Sequence, residues 1–124
     1  MNDIEPSFGD FIISKRKEKG ITARELAAAL EISPVYMCDI EKGRRTAYSD
    51  DILEKLKQIL LLSEEESERM YDLAAISRNT VSADLPKYIM ENELVRTALR
   101  TARKHQVPDE KWETFIRDIL REEE

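Results

Sequence analysis

Residues 21–45 decide the fold of this 124-residue chain and read ITARELAAALEISPVYMCDIEKGRR. Near the start of this stretch, Thr22 is followed three residues later by Glu25. This is the spacing of a capping box, in which each side chain accepts a hydrogen bond from the other residue's backbone N–H. Leu and Ala residues come next at helical spacing. The pattern predicts the second helix of the chain, about eight residues long.

A third helix is expected to begin after a short turn. Ser33 is a favoured N-cap residue, and Pro34 suits the first helical position, where a missing backbone N–H costs nothing. This helix is expected to run from Pro34 to about Lys42 and to stop at Gly43. Two short helices joined by such a turn form a helix-turn-helix, whose second helix fits the major groove of DNA.

Helices are also predicted on both sides of this stretch. Only three Gly and four Pro interrupt the chain, and apolar residues recur at helical spacing outside residues 21–45. The sequence therefore predicts an all-α protein with domains at residues 1–77 and 84–124, joined by a linker over residues 78–83. Ser63 with Glu66 is a second capping box, which is expected to open the fifth helix; that helix is expected to bury Met70, Leu73, Ala74 and Ile76.

Composition excludes several classes of protein. Hydrophobic residues make up 41% of the chain, which is too apolar for a disordered coil. The single cysteine, Cys38, can form neither an internal disulfide nor a zinc site built from cysteines. Apolar runs are far shorter than a membrane span, and the acidic start lacks the hydrophobic region of a signal peptide. We therefore expect a cytoplasmic protein with no membrane partner.

The net charge of −6 argues against a nucleic-acid partner when it is taken for the whole chain, because phosphate binding needs a basic surface. The charge is unevenly distributed, however. Residues 1–62 hold 10 Lys and Arg against 11 Asp and Glu, a balance of −1, whereas residues 63–124 hold 10 against 15, a balance of −5. Cations of the first half gather at residues 15–19 and 42–45, so the net charge does not exclude DNA binding.

The caps, core positions and turn of the predicted helix-turn-helix occur together in a specific arrangement. In that arrangement the sequence resembles the lambda-repressor/Cro type of regulators, also called the xenobiotic-response-element family, over roughly residues 8–75. The resemblance implies a five-helix lambda-repressor-like DNA-binding domain, here with a C-terminal helical extension, and a transcriptional regulator of the repressor kind. The residues that match are Thr22, Glu25, Leu26, Ala27, Leu30, Ile32, Ser33, Tyr36, Ile40, Glu41 and Gly43.

Two positions depart from the family pattern. Glu31 stands in the turn where the family usually has Gly, so a left-handed backbone there would cost roughly 1 kcal/mol. Ala23 stands where the family usually offers a Gln to the DNA, and Arg24 could substitute for it.

The third helix is expected to turn one face to the core and the other to DNA. Met37 and Ile40 continue the apolar face, because successive residues are rotated by about 100°. The opposite side carries Val35, Cys38, Asp39 and Lys42. Because Val35, Cys38 and Asp39 offer no bidentate contact to guanine or adenine, we expect modest base readout, with DNA shape supplying part of the specificity. The candidate DNA-binding residues are Thr22, Arg24, Ser33, Val35, Tyr36, Cys38, Asp39, Lys42, Arg44 and Arg45.

Some of these residues admit a second interpretation. Lys42, Arg44 and Arg45 are candidate phosphate contacts, which position a protein on DNA without reading its sequence. Charge runs are also typical of solvated helix faces, and this alternative applies above all to the cations of residues 15–19. Cys38 could be a redox-sensing thiol, although a lone cysteine without a nearby cation is more often a small side chain.

The last predicted helix carries an apolar stripe that allows two arrangements. It could pack against the preceding helix within the chain, or it could form a two-fold contact with a second copy, since regulators of this kind commonly dimerise to bind paired half-sites. The stripe, which is our candidate dimerisation region, consists of Trp112, Phe115, Ile116, Ile119 and Leu120.

Two hypotheses about function follow. The first is a sequence-specific regulator, a repressor, that binds double-stranded DNA as a homodimer and reads the major groove with the helix Pro34–Lys42. The alternative is an antitoxin or protein-interaction adaptor with weak DNA binding, which Ala23, Asp39 and the acidic balance suggest. We expect no enzyme, because the chain has no glycine-rich phosphate loop and no nucleophile–base motif. No cofactor and no metal site are expected, and the sequence does not reveal a small-molecule effector.

Overall fold

The computed structural model describes residues 6–45 and 49–123, and this described part consists of eight α-helices and their connections. The all-α prediction is confirmed. The predicted polar connection after Gly43 includes residues 46–48, which lie outside the described residues. The helices are α1 (Phe8–Glu18), α2 (Ala23–Leu30), α3 (Pro34–Glu41), α4 (Asp50–Ile59), α5 (Glu64–Arg78), α6 (Pro86–Glu91), α7 (Glu93–Lys104) and α8 (Asp109–Glu122).

The chain divides into two compact units, Met1–Pro86 and Lys87–Glu124. Part of the segment interpreted as a linker, residues 78–83, is packed within the first unit. The Ser82 side chain is buried and donates a hydrogen bond to Asp72, and Ala83 packs against the core. The domain limits at residues 1–77 and 84–124 remain a prediction.

Each of the first five helices begins at a side-chain N-cap. At α2 the cap is reciprocal: the Glu25 N–H donates to Thr22 Oγ1 at 3.1 Å, and the Thr22 N–H donates to Glu25 Oε1 at 2.9 Å. The predicted capping boxes at Thr22 and Ser63 and the Ser33 cap are confirmed. Each cap satisfies backbone N–H groups that have no partner inside the helix.

The core of the first unit lies between α1–α5. Its largest fully buried side chains are apolar and come from all five helices: Ile12, Leu26, Met37, Ile40, Leu53, Leu56, Leu60 and Met70. One core prediction is wrong, because Ile76 is 67% exposed and Ala75 is buried instead. At about 100° per residue, the buried stripe of α5 extends from Leu73, about 60° to one side of Met70, to Ala75 on the other side, and Ile76 lies about 60° beyond Leu73, outside that stripe.

Helix α1 crosses the end of α3 at very close range. A Cβ added at Gly9 would lie 2.3 Å from the carbonyl oxygen of Glu41 and 2.9 Å from that of Ile40. Real side chains do not make such contacts with backbone atoms, so glycine is required here by space. The missing side chain lets the two helices approach backbone to backbone.

The turn between α2 and α3 contains a strained residue. Glu31 ends α2 with φ 60° and ψ 38°, in the left-handed region that non-glycine residues rarely adopt. Its N–H donates to the carbonyl of Ala28, and the Ile32 N–H donates to that of Ala27 at 3.0 Å. The turn therefore has the backbone that glycine would favour, and the departure at Glu31 is accommodated as strain.

The second unit contains α7 and α8, neither of which has a buried residue. In α8, the rings of Trp112 and Phe115 meet edge to face with centroids 6.1 Å apart. Their neighbours Ala98, Ala102, Val107 and Lys111 complete the lining of an apolar cleft of about 220 Å³. None of the described helices is long and apolar enough to cross a membrane.

Candidate nucleic-acid interface

Helix α3 is fixed on one side and open on the other. Met37 and Ile40 are 0% and 1% exposed and anchor the inner face in the core. At the start of the helix, Ser33 Oγ accepts the Tyr36 N–H at 3.0 Å. Because the inner face is fully buried, the opposite face, which carries the exposed Val35, is the one that can meet a partner molecule.

The structure places the predicted contact residues of α3 on its accessible side. Val35 is 71% exposed and Lys42 is exposed, whereas Tyr36, Cys38 and Asp39 are partly exposed. An exposed valine at the start of such a helix can contact a thymine methyl group, and a partly exposed carboxylate can accept from a cytosine amino group. The geometry is compatible with the predicted roles, which remain predictions.

The residues after α3 form a compact charged cluster with the helix. Arg44 Nη1 lies 3.7 Å from Asp39 Oδ1, and Arg45 Nε lies 3.6 Å from Asp39 Oδ2. The guanidinium carbon of Arg45 lies 4.8 Å from the centre of the Tyr36 ring, a cation–π contact. We call Tyr36, Asp39, Arg44 and Arg45 the arginine cluster. The sequence placed these residues near each other but did not predict that Asp39 would pair with both arginines.

The candidate residues of α2 lie at its N-terminus. Thr22 is exposed, and its hydroxyl oxygen caps the helix, leaving the hydroxyl proton able to donate to a phosphate. Arg24 is exposed in the first turn. Backbone N–H groups and the helix dipole favour anions at such a terminus, so both residues are compatible with phosphate contact.

Two of the four cations at the end of α1 are bound within the protein. Arg16 makes a two-point contact with Glu41, with Nε at 2.7 Å from Oε2 and Nη2 at 3.0 Å from Oε1. Lys15 Nζ lies 2.6 Å from Glu66 Oε2. Lys17 and Lys19 are exposed. The pairing shows that Lys15 and Arg16 hold helices together, while Lys17 and Lys19 can still meet solvent or phosphate.

These ion pairs shift the pKa of Glu66, Lys15 and Arg16. The hydrogen bond from Lys15, helped by the backbone N–H of Ser63, lowers the pKa of Glu66 to about 2. The same Lys15–Glu66 hydrogen bond raises the pKa of Lys15, and the hydrogen bond to Glu41 raises the pKa of Arg16. These three groups are therefore charged at neutral pH.

Two other kinds of site, a metal site and a reactive thiol, concern the His, Cys, Asp and Glu side chains of the described residues. Across residues 6–45 and 49–123, no three His, Cys, Asp or Glu side chains are grouped so that they could hold a metal ion. Cys38 is a free thiol of intermediate exposure on α3. The candidate site is thus a surface made of one helix face and the cations that follow it.

A solvent-facing third helix, anchored by its inner face and followed by cations, defines a helix-turn-helix DNA-binding domain. Residues 12–66 match the model of the protein family described as Helix-turn-helix, so this segment belongs to that family. The resemblance to lambda-repressor-type regulators is confirmed for this segment. This segment is accordingly a helix-turn-helix domain of the kind that DNA-binding transcription regulators carry.

A solved structure titled "SinR protein/SinI protein complex" is similar to this chain, at 23% identity and a TM-score of 0.48. The similarity covers 94% of this chain and 99% of that one. No curated protein sequence matches the chain significantly.

Proposed function

We propose that this protein is a sequence-specific transcriptional repressor that inserts α3 into the major groove of its operator. The observation that carries the proposal is the two-sided character of α3, with Met37 and Ile40 buried and Val35 71% exposed, directly before three cations. Repression requires only that the promoter be occupied, whereas activation requires a further contact with the polymerase. Occupancy is what this surface provides.

Base contacts and phosphate contacts are divided between two parts of the surface. Val35 contacts a thymine methyl, Tyr36 bonds a base edge or the nearest phosphate, and Asp39 accepts from a cytosine amino group. Lys42, Arg44 and Arg45 bind phosphates and set the register on the duplex. Thr22, Arg24, Ser33 and Cys38 complete the contact surface at the helix starts and along α3.

Modest direct readout follows from this division. None of the side chains on the outward face of α3 is the Arg, Asn or Gln that makes a bidentate base contact. Sequence-dependent groove width and stiffness therefore supply part of the specificity. In-vitro selection of operator sequences should return a short consensus within a broader preference for DNA shape, and a long, sharply defined consensus would contradict this part of the proposal.

The second unit makes the protein a homodimer in this proposal. Phe115, Ile116 and Leu120 are each 55–56% exposed, and Ile119 is 44% exposed. Together with Trp112 they leave an apolar stripe on α8 that a second copy would cover, and a two-fold dimer would bind paired half-sites about one helical turn apart. Sedimentation at micromolar concentration tests this, since a monomer with and without DNA rejects the dimer.

A mobility-shift assay with genomic fragments at two salt concentrations tests the DNA-binding proposal. The expected result is a preferred fragment whose affinity falls with salt, because counterions are released from the contacted phosphates. The alternative function is a protein-interaction adaptor, which the acidic Asp39 on the accessible side of α3 favours. Absence of binding to any fragment supports the adaptor.

A further inference from the structure

We propose that Asp39 acts as an internal competitor for phosphate and thereby sets how strongly the protein discriminates its operator from other DNA. The proposal rests on the proposed DNA-binding function. In the absence of DNA, one carboxylate lies between two guanidinium groups, at 3.7 Å from Arg44 and 3.6 Å from Arg45. Both arginines are predicted phosphate contacts, so Asp39 is paired with the same guanidinium groups that would bind DNA phosphates.

The arginine cluster is built to exchange partners. The Asp39 side chain is 21% exposed, whereas those of Arg44 and Arg45 are 64% and 55% exposed. Both distances exceed the reach of a good hydrogen bond, and ion pairs between exposed groups are weak. A phosphate arriving from solvent can therefore displace the carboxylate without opening the core.

Tyr36 keeps Arg45 in place during that exchange. The guanidinium carbon lies over the ring, 4.8 Å from the ring centre. This cation–π contact does not use the N–H donors, which can still donate to a phosphate. Arg45 is therefore oriented by Tyr36 and neutralised by Asp39, and only the second contact has to break when DNA binds.

Discrimination follows from what Asp39 does after it is displaced. On arbitrary DNA the freed carboxylate faces phosphates and gains nothing, so the lost ion pairs weaken binding. At an operator with a cytosine opposite Asp39, the carboxylate accepts a hydrogen bond from the cytosine amino group, and this bond compensates for the lost ion pairs. Asp39 thus lowers the affinity for non-specific DNA more than the affinity for the operator, and the difference between the two affinities is the specificity.

The experiment compares Asp39→Asn with Glu68→Gln, which makes the same change of charge at an exposed position on α5, a helix that carries none of the predicted DNA-contact residues. Each protein is titrated against a random-sequence duplex and against its selected operator over a range of salt. Asp39→Asn should bind the random duplex about fivefold more tightly than wild type. Its salt dependence should steepen by about one phosphate contact, and its preference for the operator should fall. Glu68→Gln should match wild type.

A measurement without DNA tests the cluster itself. The ring of Tyr36 shifts the NMR signals of the Arg45 side chain, and these shifts should persist in Asp39→Asn as in Glu68→Gln, because Tyr36 orients Arg45 without the carboxylate. A collapse toward unstructured values in Asp39→Asn would overturn this role of Tyr36. If wild type binds DNA and Asp39→Asn binds it as Glu68→Gln does, or binds random DNA more weakly, the role of Asp39 is refuted while the proposed function stands. If neither wild type nor Asp39→Asn binds any duplex at low salt, both fail.

Discussion

The two-point contact between Arg16 and Glu41 should be one of the polar interactions that contribute most to the stability of the first unit. It ties α1 to the last residue of α3, and its side chains are only 14% and 9% exposed. Glu41→Gln removes the negative partner and leaves the Arg16 charge with little access to water. Breaking a fully buried pair in this way costs about 3–5 kcal/mol, and partial access to water should reduce this to about 2–3 kcal/mol.

Urea unfolding followed by circular dichroism measures this cost. With a slope of about 1 kcal/mol per molar urea for a unit of this size, the midpoint should fall by about 2–3 M. The matched control is Glu18→Gln on the same α1 helix, where the carboxylate is 56% exposed and 3.6 Å from Lys15. An exposed pair of this kind contributes about 0–1 kcal/mol, so the control should hardly move the midpoint.

A double-mutant cycle separates the pair from its surroundings. Arg16→Met combined with Glu41→Gln should cost little more than either change alone, since the double variant contains no unpaired charge. The coupling between the two residues should then be about 2 kcal/mol. If Glu41→Gln unfolds at the same urea concentration as Glu18→Gln, the reasoning from burial and two-point geometry is wrong.

Three further predictions concern the turn, the Lys15–Glu66 pair and the arginine cluster. Glu31→Gly should raise the unfolding free energy by about 0.5–1 kcal/mol because it relieves the left-handed backbone, whereas Glu31→Ala should not, as urea midpoints will show. Because the pKa of Glu66 is lowered in the folded protein, its contribution to the free energy of unfolding is complete above the unfolded pKa of 4.5 and is lost as the pH falls toward about 2. Urea midpoints measured across that pH window should lose this part of the acid dependence in Glu66→Gln. Arg44→Ala with Arg45→Ala should weaken binding similarly on all DNA sequences and flatten its salt dependence; an unchanged salt slope would contradict their assignment to phosphates.

Features that depend on neighbours in sequence could be predicted. A capping box involves residues three positions apart, so Thr22 with Glu25 and Ser63 with Glu66 revealed their helices directly. The same holds for Pro34, which marked the first turn of α3. These local signals located the helix-turn-helix and the residues that could contact DNA.

Features that depend on tertiary packing could not be predicted. Arg16 and Glu41 are 25 residues apart, and Lys15 and Glu66 are 51 apart, so no local pattern pairs them. Ile76 satisfied the apolar rule, but the rotation of α5 against its neighbours decided that Ala75 would be buried. The arginine cluster was missed for a different reason: its members are close in sequence, but their mutual orientation depends on how the chain leaves α3.

The close approach at Gly9 has a genetic consequence. A methyl group at this position has no space beside the Glu41 carbonyl, so Gly9→Ala must push α1 away from the end of α3. The segment that is displaced is the one from which Lys42, Arg44 and Arg45 emerge. A change on the first helix, at a position that is not among the predicted DNA-contact residues, should therefore yield a conditional allele that regulates its target at low growth temperature and releases it on warming.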